Sequence, residues 1–292
     1  MWRRINNVIH VHTIIATLII STLIMAALMG ISFILMHTYG ITDATTLVPT
    51  PSLLTLFTFG QIILSAIIIF LMKKMHVFNI SDFQFRNIGK GFILGWFYFV
   101  FAVCAFSMTF FALPKNILIM PDPFALIITV LHPFLGTGVF EEVLFRGLIL
   151  KILLLTMGHT KKGIIKACLI SSVLFGVVHI LNIIVVGEYL PVIAQVIYAP
   201  FVGVCYAALF LRTKTLWVPI LLHGLTNVST QIFNVLLSPD VLQGSMQNQT
   251  DPSLIDAFMP VVFSIPFLIV GLILLRKVKA EDVECIMPER ML

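Results

Sequence analysis

At residues 138–147 the chain reads Gly-Val-Phe-Glu-Glu-Val-Leu-Phe-Arg-Gly, which places Glu141, Glu142 and Arg146 inside an otherwise apolar stretch. Hydrophobic residues make up 59% of the 292 residues and charged residues only 11%, whereas a soluble domain is about 45–50% apolar. A charged side chain at the centre of a membrane-spanning helix costs at least ~2.5–3.5 kcal/mol. The composition therefore predicts an integral membrane protein, and the charges within an apolar segment indicate a functional site.

Eight apolar segments have about the length of ~20 residues that a helix needs to cross a bilayer. They lie near 12–36, 53–72, 91–113, 124–150, 166–186, 192–211, 216–236 and 257–275. The predicted fold is all-α, a polytopic membrane helix bundle of about eight transmembrane helices. We divide it into three N-terminal helices (1–123), a core that carries the polar residues (124–235), and a last helix with its tail (236–292).

The basic residues predict the orientation of this bundle. All 18 lysines and arginines except Lys115 and Arg146 fall at the ends of alternate loops, and such residues collect on the cytoplasmic side of a membrane protein. We therefore expect both termini in the cytoplasm. The net charge of +5 then reflects topology and contact with the lipid bilayer, not nucleic-acid binding. The compact, loop-poor chain suggests a bacterial cell membrane.

Polar residues of three predicted helices lie at a similar depth. Glu141 is ten residues from Lys151, His223 nine from Lys214, and His179 thirteen from Lys166. At ~1.5 Å of helical rise per residue, these side chains and Asn227 lie ~14–20 Å from the basic end of their helices. We expect the four side chains to meet in one layer.

The spacing within each helix predicts which groups pair. Glu142 and Arg146 are separated by four residues, so they face each other on one side of the helix. Glu141 is rotated by ~100° from Glu142 and is the carboxylate left free to point into a cavity. Phe175 with His179, and His223 with Asn227, also share helix faces at this spacing.

This set of groups suits hydrolysis of a peptide bond. Glu141 can act as the general base for a water molecule, the histidines can hold or transfer protons, and Asn227 is a neutral donor for an oxyanion. Alternatively, Glu141, His179 and His223 could hold a zinc ion with an open position for water. The residues leave both mechanisms open, although the chain has no H-E-x-x-H motif that would favour zinc.

Structural roles are the alternative for each of these residues. A histidine inside a membrane can simply bond a neighbouring backbone, Glu142 with Arg146 can be an ion pair that holds the fold together, and Phe175 can be packing. His132 precedes Pro133, so we interpret it as part of a kink.

The three motifs Glu141-Glu142-x-x-x-Arg146, Phe175-x-x-x-His179 and His223-x-x-x-Asn227 occur in this order on successive helices. Together they resemble the CPBP family of CAAX-processing and bacteriocin-processing intramembrane proteases, over about residues 124–235. The resemblance implies an eight-helix fold with a conical, cytoplasm-facing cavity. It also implies that Glu141 and His179 activate water, that His223 and Asn227 form an oxyanion hole, and that Glu142 and Arg146 support them.

For this family a glutamate mechanism without metal is favoured here over a zinc mechanism. The expected substrate is a membrane-associated peptide of the bacteriocin or pheromone kind, or a lipidated, prenylated protein with a CAAX C-terminus. A non-catalytic membrane regulator or bacteriocin self-immunity protein is the alternative. A proton-coupled transporter would predict inverted repeats, which the sequence does not show.

Overall fold

The computed structural model describes residues 2–39, 50–112, 118–186, 189–237 and 254–287. Within these ranges the chain is almost entirely helical, and the only pairing of the β type is an isolated bridge between Leu118 and Leu237. The predicted all-α polytopic bundle is therefore confirmed. Lys115, one of the two basic residues that break the charge pattern, lies outside the described ranges.

Ten helices carry the fold in the described ranges, and short helical turns join some of them. They are α1 (Trp2–Thr38), α2 (Pro51–Lys74), α3 (Ile88–Leu94), α4 (Trp96–Ala112), α5 (Pro123–Met157), α6 (Lys161–Val177), α7 (Tyr189–Thr213), α8 (Trp217–Gln231), α9 (Leu254–Arg276) and α10 (Ala280–Glu284).

The predicted count of eight spans is not confirmed. Six described helices are long and apolar enough to cross a bilayer, namely residues 11–38 of α1 together with α2, α5, α6, α7 and α9. Helices α3 and α4 form a seventh span only as a pair, because the chain bends by 63° between them, at Gly95. Helix α8 has 15 residues, about 22 Å at ~1.5 Å per residue, and is too short to cross alone.

Helix α5 is opened twice along its length. Residues His132–Gly138 and Val143–Ile149 are π-helical, and they flank the single α-helical turn Val139–Glu142 that carries both glutamates. Pro133 contributes no backbone N–H, which favours a break in the regular ladder. The kink expected near Pro133 therefore takes the form of a π-helix, a distortion that often occurs at functional sites.

The core lies around the second half of α5. Helix α7 packs against both α6 and α9, and residues 142–151 of α5 are buried throughout. Helices α6 and α7 approach closely at Gly176, where a Cβ atom would lie 2.4 Å from the Pro200 ring and 2.6 Å from the Val196 carbonyl oxygen. This contact fixes the end of α6, three residues before His179.

One end of the bundle, which we call the basic end, gathers the lysines and arginines of several segments. The Lys90 ammonium donates to the Arg212 carbonyl (2.9 Å), the Arg212 guanidinium donates to the Lys277 carbonyl (2.7 Å), and Lys161 donates to the Leu275 carbonyl (2.7 Å). The loops after α2, α5, α7 and α9 therefore meet at the same end, as the charge pattern predicts.

Lys151 does not reach the surface at this end. The sequence analysis measured the depth of Glu141 from Lys151 as if this lysine marked the surface, and that assumption is wrong. Its ammonium group is fully buried and forms an ion pair with Asp82, a residue of the short 3₁₀ turn Ile80–Phe83, and also donates to the Val77 carbonyl. Burial raises the pKa of the Asp82 carboxyl to about 6, although the charge and hydrogen bond of Lys151 oppose this shift. The pair ties the α2–α3 connection to α5.

We expect Gly176→Ala to destabilise the protein by ~1–3 kcal/mol, because the added methyl group would overlap the α7 backbone. Gly30→Ala is the matched control, since nothing lies within 4 Å of a Cβ atom there. In the middle of α1 that change should stabilise the helix by ~0.5–1 kcal/mol. Thermal unfolding in detergent measures both; equal effects would show that the α6–α7 contact is not tight.

Candidate active site

The two glutamates point into different surroundings although they are adjacent in sequence. Glu142 is fully buried, whereas Glu141 retains 8% exposure and lines a cavity. The ~100° rotation between neighbouring helical residues accounts for this difference. Glu142 therefore belongs to the packed core and Glu141 to the cavity wall.

Glu142 is held by a cation from its own helix. Arg146 Nη1 donates to Glu142 Oε1 at 3.0 Å, and Arg146 Nη2 donates to the Gly203 carbonyl of α7 at 3.2 Å. The guanidinium also lies over the rings of Phe175 (4.6 Å) and Tyr206 (5.2 Å). A cation stacked on two aromatic faces and bonded to two acceptors is well compensated for its burial.

His223 connects the two glutamates. Its Nδ1 atom lies 3.0 Å from Glu142 Oε1, and its Nε2 atom lies 3.7 Å from Glu141 Oε2. Because the Glu142 carboxylate can only accept, Nδ1 carries the proton. The Tyr206 ring stacks on the imidazole at 5.2 Å with an interplanar angle of 18°, so the orientation of His223 is fixed on two sides.

His179 lies in the 3₁₀ turn Val178–Asn182, which directly follows α6. Its Nδ1 atom is 2.6 Å from the Phe175 carbonyl oxygen. A carbonyl oxygen can only accept, so Nδ1 is the donor, and in the neutral imidazole Nε2 then carries a free lone pair. The Phe175 ring packs edge-on against His179, with the ring centroids 5.0 Å apart.

A cavity of about 220 Å³ joins Glu141 and His179. This volume equals roughly seven water molecules at about 30 Å³ each. Its wall combines polar and apolar side chains, namely Met25, Leu28, Met29, Ser32, Phe57, Gln61, His132, Thr137, Glu141, His179, Asn182 and Gln195. The cavity extends from Glu141 toward the Pro123 end of α5, away from the basic end.

The structure brings together six of the seven predicted site residues: Glu141, Glu142, Arg146, Phe175, His179 and His223. Asn227 stands apart, because its carboxamide forms no hydrogen bond with another described residue and does not line the cavity. Its neighbour Thr226 lies 3.4 Å from the Tyr206 hydroxyl instead. His223 and Asn227 were expected to share one helix face. Of these two residues, only His223 lies beside the glutamates.

The predicted zinc ligands do not form a metal-binding cluster. Within the described ranges, no three His, Cys, Asp or Glu side chains lie close enough together to hold one metal ion. The Nδ1 atoms of His223 and His179 donate to Glu142 and to a backbone carbonyl, an arrangement that leaves Nε2 available, so the separation of the side chains alone argues against a shared ion. We therefore derive no step through a metal ion.

Sequence reasoning missed several residues around the site. His132, interpreted from the sequence as part of a kink, lies on the cavity wall, with Nδ1 2.9 Å from the Thr58 hydroxyl and Nε2 3.4 Å from that of Thr137. Tyr206 and Gln61 were also missed. Only the polarity of Gln61 and His132 within apolar segments could have indicated them; nothing in the pattern distinguishes Tyr206 from other aromatic residues.

The described helical bundle has an internal cavity lined by a carboxylate and an imidazole, two groups that hydrolysis within a membrane can use. Residues 123–229, somewhat more than a third of the chain, match the family model described as type II CAAX prenyl endopeptidase Rce1-like. The match confirms the family resemblance of the three motifs and supports an intramembrane protease of the CAAX type as the general class. The comparisons found no matching curated protein and no matching solved structure.

We expect Arg146→Met to destabilise the fold by ~3–5 kcal/mol, because it leaves the Glu142 carboxylate buried without its cation. The double variant Glu142→Gln/Arg146→Met removes both charges and should recover much of that loss. Arg146→Lys keeps the charge but cannot reproduce the flat stacking and the fork of donors, so it should fall in between. Unfolding midpoints in detergent measure the series; additive losses in the double variant would contradict a coupled pair.

Proposed function

We propose that the protein is an intramembrane endopeptidase in which the Glu141 carboxylate activates water to hydrolyse a peptide bond of a membrane-associated protein or peptide. The observation that carries this proposal is the shared cavity of Glu141 and His179, with His223 Nε2 3.7 Å from Glu141 Oε2. The base Glu141 and the proton acceptor His179 thus line one space large enough for water, and the proton donor His223 lies next to Glu141 without lining that space.

The two cavity groups suit the binding of a nucleophilic water. Glu141 is not engaged by Arg146, and the Nε2 lone pair of His179 is free because Nδ1 donates to the Phe175 carbonyl. One water can donate a hydrogen to each of these acceptors, which increases the electron density on its oxygen. Glu141 then accepts the proton as the bond to the carbonyl carbon forms.

Position assigns the donor role to His223. Its Nδ1 atom donates to Glu142 Oε1 and its Nε2 atom lies 3.7 Å from Glu141 Oε2, so the ring is held with Nε2 toward the carboxylate that activates water. With a proton on each ring nitrogen, His223 keeps its bond to Glu142 and has a second N–H available. The Nε2–H of His223 can then donate to the oxyanion of the tetrahedral intermediate, and the proton held by Glu141 passes to the leaving amine. Asn227, one helical turn beyond His223, remains the second oxyanion donor that the resemblance implies.

The first test compares the purified protein with Glu141→Gln on lipidated CAAX peptides and on leader-bearing peptides, with and without chelator. Removing a general base typically costs 10²–10⁴-fold in rate, so Glu141→Gln should lose at least ~100-fold in kcat while its unfolding midpoint is retained. Glu284→Gln is the matched control, since Glu284 is exposed on α10 at the basic end, and it should cleave like the parent.

A second experiment searches for substrates that the chosen peptides do not represent. It maps new peptide termini quantitatively in membranes of cells that express either the parent or Glu141→Gln. Termini that require Glu141 support the proposal. If neither assay gives Glu141-dependent cleavage, the enzyme proposal fails and the regulator or immunity role gains support. Loss of cleavage on chelation alone would replace the glutamate mechanism with a metal mechanism.

A further inference from the structure

The turn that carries His179 brings a second polar side chain to the cavity. Asn182 is the last residue of the 3₁₀ turn Val178–Asn182 and follows His179 by three residues. Side chains at positions i and i+3 of a 3₁₀-helix eclipse each other, so these two point in a similar direction. Both line the cavity that Glu141 also lines. The geometry of the turn therefore places a carboxamide on the same side of the cavity as the imidazole.

Gln195 of α7 fixes the orientation of this carboxamide. Asn182 Nδ2 donates to Gln195 Oε1 at 2.9 Å, and Gln195 lines the same cavity. Two carboxamides can exchange two hydrogen bonds, one in each direction, but this pair forms only one. Asn182 Oδ1 and Gln195 Nε2 have no hydrogen-bond partner among the described residues. The pair thus keeps one acceptor and one donor group for a ligand.

These two groups are complementary to a peptide bond. A peptide unit offers one N–H donor and one C=O acceptor, whereas Asn182 Oδ1 can accept and Gln195 Nε2 can donate. Both side chains are partly exposed, and Met25, Leu28 and Met29 in the same wall are apolar and adaptable. Because hydrogen bonds to the main chain do not depend on side-chain identity, this wall suits a peptide whose apolar residues vary.

We propose that Asn182 and Gln195 form a binding site for the main chain of the substrate, in which Asn182 Oδ1 accepts from a substrate N–H and Gln195 Nε2 donates to a substrate C=O. Since Asn182 and His179 belong to one turn, this contact holds the peptide at a fixed distance from the imidazole that binds the nucleophilic water. The proposal rests on the proposed function and adds to it how the substrate is held. The alternative is a purely structural bond between the turn and α7, of the kind that polar residues form between membrane helices.

Pairing a change in the protein with a change in the substrate tests for direct contact. In the peptides of the first test, each peptide bond except the scissile one is replaced in turn by an ester, which removes one N–H and keeps the shape. For the parent protein, one such ester should raise KM by ~3–10-fold, the value of a neutral hydrogen bond. The kcat should change little, because the bond is made equally in the ground state and the transition state. Asn182→Leu should raise KM for the all-amide peptide by a similar factor and lose sensitivity to that ester.

Two further variants control for folding and for the loss of a carboxamide. Asn234→Leu makes the same exchange at an exposed residue that does not line the cavity, so it should keep the ester sensitivity of the parent. Gln195→Leu leaves Asn182 in place but removes its anchor, so ester sensitivity should fall here as well. Gln195→Leu also serves as the test variant if the unfolding midpoint shows that Asn182→Leu does not fold.

A second arm measures binding of the same fluorescently labelled peptides to Glu141→Gln by anisotropy, so that the site is tested without cleavage. If the peptides are cleaved but every ester acts independently of Asn182→Leu, the pair is a structural bond and this proposal fails, while the proposed function stands. If ester and Asn182→Leu are coupled in binding but no Glu141-dependent cleavage exists, the proposed function fails and the binding site stands. Absence of both binding and cleavage for every peptide would overturn both proposals.

Discussion

The burial of the Glu142 carboxylate is the constraint on which the rest of the site depends. An unpaired carboxylate in a membrane-embedded core costs several kcal/mol, and here its Oε1 atom has Arg146 and His223 each at 3.0 Å. Those partners come from α5 and α8, and Arg146 is also bonded to the Gly203 carbonyl of α7. Oε2 has no hydrogen-bond partner among the described residues, so the partners of Oε1 are what fix the three helices relative to one another. They also fix the imidazole that faces Glu141.

The same constraint separates the roles of two identical side chains. Glu142 bonds Arg146 and His223 in the core and therefore holds the His223 ring in a fixed orientation. Glu141 instead lines the cavity. The π-helical segments on both sides of the Val139–Glu142 turn adjust how the two faces of α5 are presented. Gly138 is needed there, since a Cβ atom would lie 3.1 Å from the Ile220 carbonyl of α8. Local backbone distortion thus lets α8 come close enough for His223 to bond Glu142.

The sequence predicted the features that follow from helical rise and spacing. Counting residues along each helix predicted that Glu141, His179 and His223 share a layer, and the four-residue spacing predicted the Glu142–Arg146 pair. It could not predict features set by the rotation of each helix about its axis. That rotation turns His132 toward the cavity, leaves Asn227 off its wall and stacks Tyr206 on His223. Charge counting also misplaced Lys151, because a loop residue, Asp82, folds back to neutralise it.

Depth places the site but does not say which half of the bundle is densely packed. A layer ~14–20 Å from the basic end is close to the middle of a hydrocarbon core ~30 Å thick, so both surfaces are about equally distant from Glu141. Packing distinguishes the two halves. Large side chains such as Phe145 and Phe210 fill the half toward the basic end, whereas the cavity lies in the other half and is lined in part by small or polar residues such as Thr137 and Ser32. Water that entered the basic half would weaken the attraction between Glu142 and Arg146. The fixed orientation of His223 therefore depends on the dense packing on its side of Glu141.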